Sequence, residues 1–495
     1  MKKFKLFLAA FVATLFAFAG VKASAYTLTI DHVADGHTYE AYQVFSGTLA
    51  SDGKTLSDIQ WGSDVNPFTY AGESDAAKIA DKLTGQKEDS DDAKAFSNLA
   101  GANLTTPAAS AESKDGQAVL TVAAPGYYLE KDKDGEQNDK YSAYTRFMME
   151  VAGDVTARVK NDRPTVQKKV KETNDSTGTT TDWQDAADYD INDTVPFQLK
   201  ATLPIHIDDY EHYYVEFTDT LSAGLTFDKI TLVKADNTIL KEDQYQVSKT
   251  ENKDGTTTLS VIITDVKAVS GISKDDKEVT VEYNATLNDK AVLGSAGNPN
   301  SVELTYSNNP NATGDGTSKP ADTGKTPKDT VKVFTYQTII NKLNENKEAL
   351  AGAGFTLSKK DKDGNWNTVK AIAAGEATRF EFKGLDAGNY KLEETTTPDG
   401  YNTIKPIEFT IDAKYDTEAD DPQLIKLSGD VTSGVAKFDA NKADGSLKAD
   451  IVNRKGSLLP STGGMGTTIL YVVGSILVLA AAVLLITKKR MDAAK

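Results

Sequence analysis

Val195-Pro-Phe-Gln-Leu-Lys-Ala-Thr-Leu203 places an apolar residue at every second position. A period of two is the mark of a strand that buries one face and wets the other. Working outward, Tyr26-Thr-Leu-Thr-Ile30, Thr258-Leu-Ser-Val-Ile-Ile263, Val279-Thr-Val-Glu-Tyr283, Val302-Glu-Leu-Thr-Tyr306 and Phe409-Thr-Ile411 mostly repeat the alternation. Asp-Gly pairs at Asp52-Gly53, Asp134-Gly135, Asp254-Gly255, Asp363-Gly364 and Asp399-Gly400 punctuate the runs, as tight turns do. The chain therefore reads as all-β. Two helical stretches, at about 74–83 and 91–99, interrupt the pattern and belong to an insertion in the first third.

The length suggests about three domains, and the many short strands predict tandem immunoglobulin-like β-sandwiches. A break at Asn161-Asp-Arg-Pro164 and a Gly-, Pro-, Asn- and Asp-rich stretch near 308–329 give the boundaries. They are a first domain at 26–160, a central domain at 161–310, a linker at 311–329 and a third domain at 330–455. Net charge is −17, which disfavours nucleic acid as a partner. There is no cysteine and there are four histidines, so disulfides are excluded and little is left for a transition-metal site. No HExxH, GxSxG, P-loop or GxGxxG context is present, so neither a conventional enzyme nor a cofactor is expected. Asp132-Lys-Asp-Gly135 and Asp361-Lys-Asp-Gly364 lack the glutamate of a calcium loop and read as hairpin turns, so no metal is expected.

Both ends read as addresses. Lys2, Lys3 and Lys5 precede an apolar run from Leu6 to about Val21, and Ala23-Ser-Ala25 offers a signal-peptidase site; residues 1–25 are expected to be a cleaved signal peptide. At the other end, 456–495 holds Leu459-Pro-Ser-Thr-Gly463, an apolar run at 467–487 and Lys488-Lys-Arg490. About 20 apolar residues suffice to cross a bilayer, and basic residues keep their end cytoplasmic.

That C-terminal order resembles the cell-wall sorting signal of Gram-positive surface proteins. The resemblance implies that a sortase reads Leu459 and Pro460, cuts between Thr462 and Gly463, and passes the Thr462 carbonyl to an amine. In the third domain, Lys342-Leu-Asn-Glu-Asn-Lys, Tyr390-Lys-Leu-Glu-Glu-Thr395 with Pro398-Asp-Gly-Tyr401, and Ile451-Val-Asn453 resemble a Cna-type B domain. The family implies an isopeptide bond, with Lys342 as nucleophile, Asn453 as electrophile and Glu394, rather than Glu393, as the assisting acid. Such a lysine must attack as a free amine, a form that burial favours.

The central domain opens with Pro164-Thr-Val-Gln-Lys-Lys-Val170, contains Phe217-Thr-Asp-Thr-Leu221 and closes with Val302-Glu-Leu-Thr-Tyr-Ser-Asn-Asn309. It resembles the central domain of backbone pilins, whose triad is Lys, Asp and Asn. The resemblance implies Asp219 as the acid, and strand parity selects Lys168 and Asn308, with Lys169 and Asn309 as runners-up. The opening strand of the first domain, Tyr26-Thr-Leu-Thr-Ile30, carries no lysine, so no cross-link is expected there. Val159-Lys160-Asn161, at that domain's end, partly resembles the pilin motif, with Arg158 and Val159 where Tyr and Pro are usual. It makes Lys160 the polymerisation lysine.

Together these features resemble the major pilin of a sortase-assembled pilus. The resemblance implies a peptidoglycan-anchored extracellular fibre. Its expected partners are pilus-specific and housekeeping sortases, other copies of itself, minor pilins, peptidoglycan and host surface or matrix ligands. The alternatives are a monomeric wall-anchored adhesin and a basal or minor pilin.

Overall fold

The computed structural model describes residues 25–86, 90–135, 142–159, 163–269, 272, 277–456 and 465–492. Three β-sandwiches follow one another along the chain. In the first, Tyr26–Asp31 lies between antiparallel Gln117–Val122 and parallel Val155–Arg158. This sheet faces a second one made of Leu56–Trp61, Thr38–Leu49, Gly126–Asp132 and Arg146–Val151, with Ala109–Glu112 also on Thr38–Leu49. Leu28, Ile30, Leu120, Tyr128 and Phe147 fill the space between. The back of the second sheet is covered by helices Ala76–Leu83 and Asp91–Ala102, through Ile79, Phe96, Phe45 and Tyr127. Asp75 and Ser90 cap these helices by accepting from the N–H groups of Lys78 and Ala93.

The central sandwich pairs a sheet containing Thr165–Val170, Thr194–Thr202, Glu278–Leu287 and Leu225–Ala235 with one containing Asn298–Ser307, Val215–Leu221 and Thr257–Ile263. Val195, Phe197, Leu199 and Ala201 are all buried, as the period of two requires. The stretch expected to be a linker, 311–329, carries the short strand Thr323–Lys325, which pairs with the end of Asn298–Ser307. Asp329–Phe334 continues on the same strand's other half and belongs to the central sheet. The third domain thus begins at Tyr336, not at 330. The reason is visible in Val331 and Val333, which are fully buried in the central core; their alternation reads the same whichever neighbour they join.

In the third sandwich, Tyr336–Leu343 lies between antiparallel Arg379–Leu385 and parallel Ser446–Val452. The facing sheet runs Trp366–Ile372, Gly354–Lys360, Gly388–Thr396, Ile407–Tyr415, Leu424–Ser433. Beyond it, helix Met465–Asp492 contains a 23-residue span, Ile469–Met491, long and apolar enough to cross a membrane.

The third domain is docked on the central one by a buried polar joint. The Lys359 ammonium lies 2.8 Å from Asp175 and from Asp190, and 2.6 Å from Asp386. Around it, the Asp190 carboxylate accepts from the Asp386 N–H at 2.8 Å, and Tyr415 donates to Glu172 at 2.5 Å. Burial, then repulsion from Glu172, pushes Asp188 up to about 7; burial and Asp190 push Asp193 up to about 6. Both start from 3.8 when unfolded, so the native joint holds protons that the unfolded chain releases. Their contribution is complete below about pH 4 and is lost as pH rises through about 6 to 7. Amide exchange at 186–190, corrected for intrinsic rate, should be faster at about pH 8 than at about pH 5; equal protection would contradict this.

Candidate isopeptide sites

The third-domain site is set by two registers. Parallel pairing places Lys342 beside Ile451, two residues before Asn453, and antiparallel pairing sets Phe355 opposite Glu394. All three polar side chains are buried under the sandwich. The Lys342 ammonium nitrogen touches Asn453 Oδ1 in a short contact and lies 3.2 Å from Glu394 Oε1. Asn453 Nδ2 donates to both Glu394 oxygens, at 2.8 and 3.1 Å. The Ile404 N–H also holds Glu394 Oε2, at 3.0 Å. Desolvation, opposed by Glu394, lowers the Lys342 pKa, and Phe355 lies 5.8 Å from Nζ. A single carboxyl therefore reaches both the amine and the amide nitrogen.

In the central domain Lys168 Nζ lies 2.5 Å from Asp219 Oδ1 and donates to the Tyr283 hydroxyl at 3.0 Å. Tyr283 in turn donates to Asp219 Oδ2 in a short hydrogen bond. Desolvation lowers the Lys168 pKa against the pull of Asp219, and raises that of Asp219 against the pull of Lys168. Burial thus favours the neutral amine beside the neutral acid. Phe197 and Tyr283 flank the amine at 5.1 and 5.2 Å. Lys169, on the opposite strand face, instead pairs with Asp185 at 2.5 Å.

The asparagine of this site is Asn300, not Asn308 or Asn309. Asp219 pairs in register with Val302, and Leu221 with Asn300. Asn300 Nδ2 donates to Tyr283 at 2.7 Å, while its buried Oδ1 has no hydrogen-bond partner among the described residues. Asn308 sits about 20 Å past Val302 at about 3.3 Å per residue. There its carbonyl accepts from the Tyr144 N–H of the first domain at 2.7 Å. Asn309 holds Asp322 at 2.8 Å. Parity could not separate the two positions, because Asn300, Val302, Leu304, Tyr306 and Asn308 share it.

Burial alone does not make a lysine reactive here. Lys359 is also buried, and desolvation acts to lower its pKa, yet Asp386 and Asp190 outweigh that and raise it. The oxygens of Asp175, Asp190, Asp193 and Asp386 gather as a cation site would, and the Lys359 ammonium pairs with three of them, Asp175, Asp190 and Asp386. In the first domain, His37 Nδ1 is 2.8 Å from Asp132 Oδ2 inside the sandwich. The Glu130 carboxyl nearby is fully buried, which raises its pKa well above the usual carboxylate range. Lys160, Leu459, Pro460, Thr462 and Gly463 lie outside the described residues.

Residues 191–310 match the family model for a Gram-positive pilin backbone subunit 2, Cna-B-like domain. Residues 337–423 match the SpaA prealbumin-like fold domain. The chain thus carries a backbone-pilin domain followed by a SpaA prealbumin-like domain. The trypsin-resistant surface T6 protein of Streptococcus pyogenes serotype M6 is 24% identical to this pilin over 397 residues, covering 68% of this chain and 70% of that one. In fold, the pilin is similar to the T6 backbone pilin of serotype M6 Streptococcus pyogenes, with a TM-score of 0.54 and 17% identity, over 89% of this chain and 100% of that one. It is also similar to the full-length major pilin SpaD of Corynebacterium diphtheriae, with a TM-score of 0.50 and 18% identity over the same shares. The pilin is a structural pilus subunit, and its C-terminal apolar helix fits a sorting signal.

Proposed function

We propose that this pilin is polymerised head to tail by a sortase through Thr462 and Lys160, and is braced by Lys168–Asn300 and Lys342–Asn453 isopeptide bonds. The observation that carries the bracing is the burial of two lysines, each against one acid and with an asparagine amide in the same hydrogen-bonded cluster. In each, the free amine adds to the side-chain amide carbon, the acid moves the proton, and ammonia leaves. Both bonds join an opening strand of a sandwich to a late one, so tension passing along the fibre crosses a covalent tie.

Polymerisation follows from the sorting signal. A pilus-specific sortase takes Thr462 as an acyl-enzyme, and the Lys160 amine of another copy resolves it. A housekeeping sortase then joins the base to peptidoglycan, with minor pilins and host ligands as further partners. Cell-wall extracts run on a denaturing gel test this directly. A ladder of detergent- and heat-resistant multimers is expected; a single wall-linked band would make the protein a monomeric adhesin.

A further inference from the structure

We propose that Tyr283 is a catalytic residue of the central-domain ligation, carrying the proton from Asp219 to the leaving nitrogen of Asn300. The proposal rests on the isopeptide reading above and adds to it a residue that the Lys, Asp and Asn triad does not contain. The contacts form one unbroken chain. Lys168 Nζ meets Asp219 Oδ1 at 2.5 Å, Asp219 Oδ2 shares a short hydrogen bond with Tyr283, and Tyr283 meets Asn300 Nδ2 at 2.7 Å.

The third domain shows why the tyrosine is needed. There Glu394 by itself touches both Lys342 Nζ, at 3.2 Å, and Asn453 Nδ2, at 2.8 Å. An aspartate is one methylene shorter. In the central domain Asn300 Nδ2 donates instead to the Tyr283 hydroxyl, which fills the interval. Tyr283 is fully buried and held by stacking on Phe197, with ring centroids 5.3 Å apart. The hydroxyl is therefore fixed between the amine, the acid and the amide.

The proton count closes. The Lys168 lone pair forms the bond to Asn300 Cγ, and the carbonyl electrons move to Oδ1. The amide nitrogen, now on a tetrahedral carbon, becomes basic, and its hydrogen bond with Tyr283 reverses. The Tyr283 O–H turns from Asp219 Oδ2 to Nδ2, so that bond reverses too. Asp219 takes a proton from Nζ on Oδ1 and gives the one on Oδ2 to Tyr283, which delivers the phenolic proton to Nδ2. Collapse of the tetrahedral carbon breaks the Cγ–Nδ2 bond and releases ammonia. Asp219 and Tyr283 end in the protonation states in which they began.

The test follows ammonia loss by intact mass during cell-free synthesis of the full chain, with peptide mapping to separate the two domains. Tyr283→Phe should slow the central bond about 100-fold, the low end for a general acid–base group, and leave the third-domain bond at its normal rate. Asp219→Glu in the Tyr283→Phe background should restore the rate, because the longer acid spans the gap as Glu394 does. If Tyr283→Phe does not fold, a fluorinated tyrosine placed at 283 keeps the hydroxyl and should shift the pH profile of central bond formation downward. A wild-type rate in Tyr283→Phe, or an unmoved profile with the fluorinated residue, would overturn the relay. Absence of the central bond in the wild-type chain would instead overturn the isopeptide reading beneath it.

Discussion

Replacing Lys160 with arginine should abolish the multimer ladder while a wall-anchored monomer persists. Arginine keeps the positive charge, but guanidinium stays protonated and offers no usable nucleophile. The sorting signal is untouched, so Thr462 is still activated and still passed to peptidoglycan. Peptide mapping of wild-type fibres should find Thr462 joined to Lys160. An unchanged ladder in the variant would move the linkage to another lysine. Lys168 and Lys342 are unsuitable because both are fully buried, and Lys359 is held by three carboxylates.

Lys342→Ala should destabilise the third domain far more than an ordinary core substitution. The proposed isopeptide bond closes a loop between residues 111 positions apart, for which loop entropy gives about 5 kcal/mol. At a few degrees per kcal/mol, the midpoint for that domain should fall by roughly 20 °C. Glu394→Gln separates chemistry from packing, since it keeps both reacting groups and removes only the acid. It should retain the ammonia and lose most of the same stability. Scanning calorimetry with mass on the same sample checks both; a variant that keeps its ammonia and its wild-type midpoint would contradict the account. Resistance to protease should fall as well, because the tie acts on unfolding rate as well as on equilibrium.

The strands and the two helices were legible in the sequence because each rests on a local period, as in Val195 to Leu203 or residues 76–83. The cluster of Lys342, Glu394 and Asn453 was legible because three short sequence boxes mark it. The central asparagine was not. Asn300 sits in Asn298-Pro-Asn-Ser, which reads as a turn, and its inward parity is shared with Asn308. Only the register of Asp219 opposite Val302 decides between them. Tyr283 carried no signal at all, being one alternating aromatic among many. The joint around Lys359 was hidden for a different reason. Its carboxylates come from two domains, and no local pattern brings Asp175 or Asp190 to Asp386. The same non-locality hid the membership of Asp329–Phe334, whose alternation is plain but whose partner strand is set by tertiary pairing.

The central claim is that two buried lysines become covalently joined to two particular asparagines. Intact mass of the secreted chain, followed by mapping of its branched peptides, tests it most directly. The account predicts a mass lower than the sequence mass by two ammonias, with Lys168 joined to Asn300 and Lys342 joined to Asn453. A chain of full sequence mass, or a branched peptide joining Lys168 to Asn308, would contradict it.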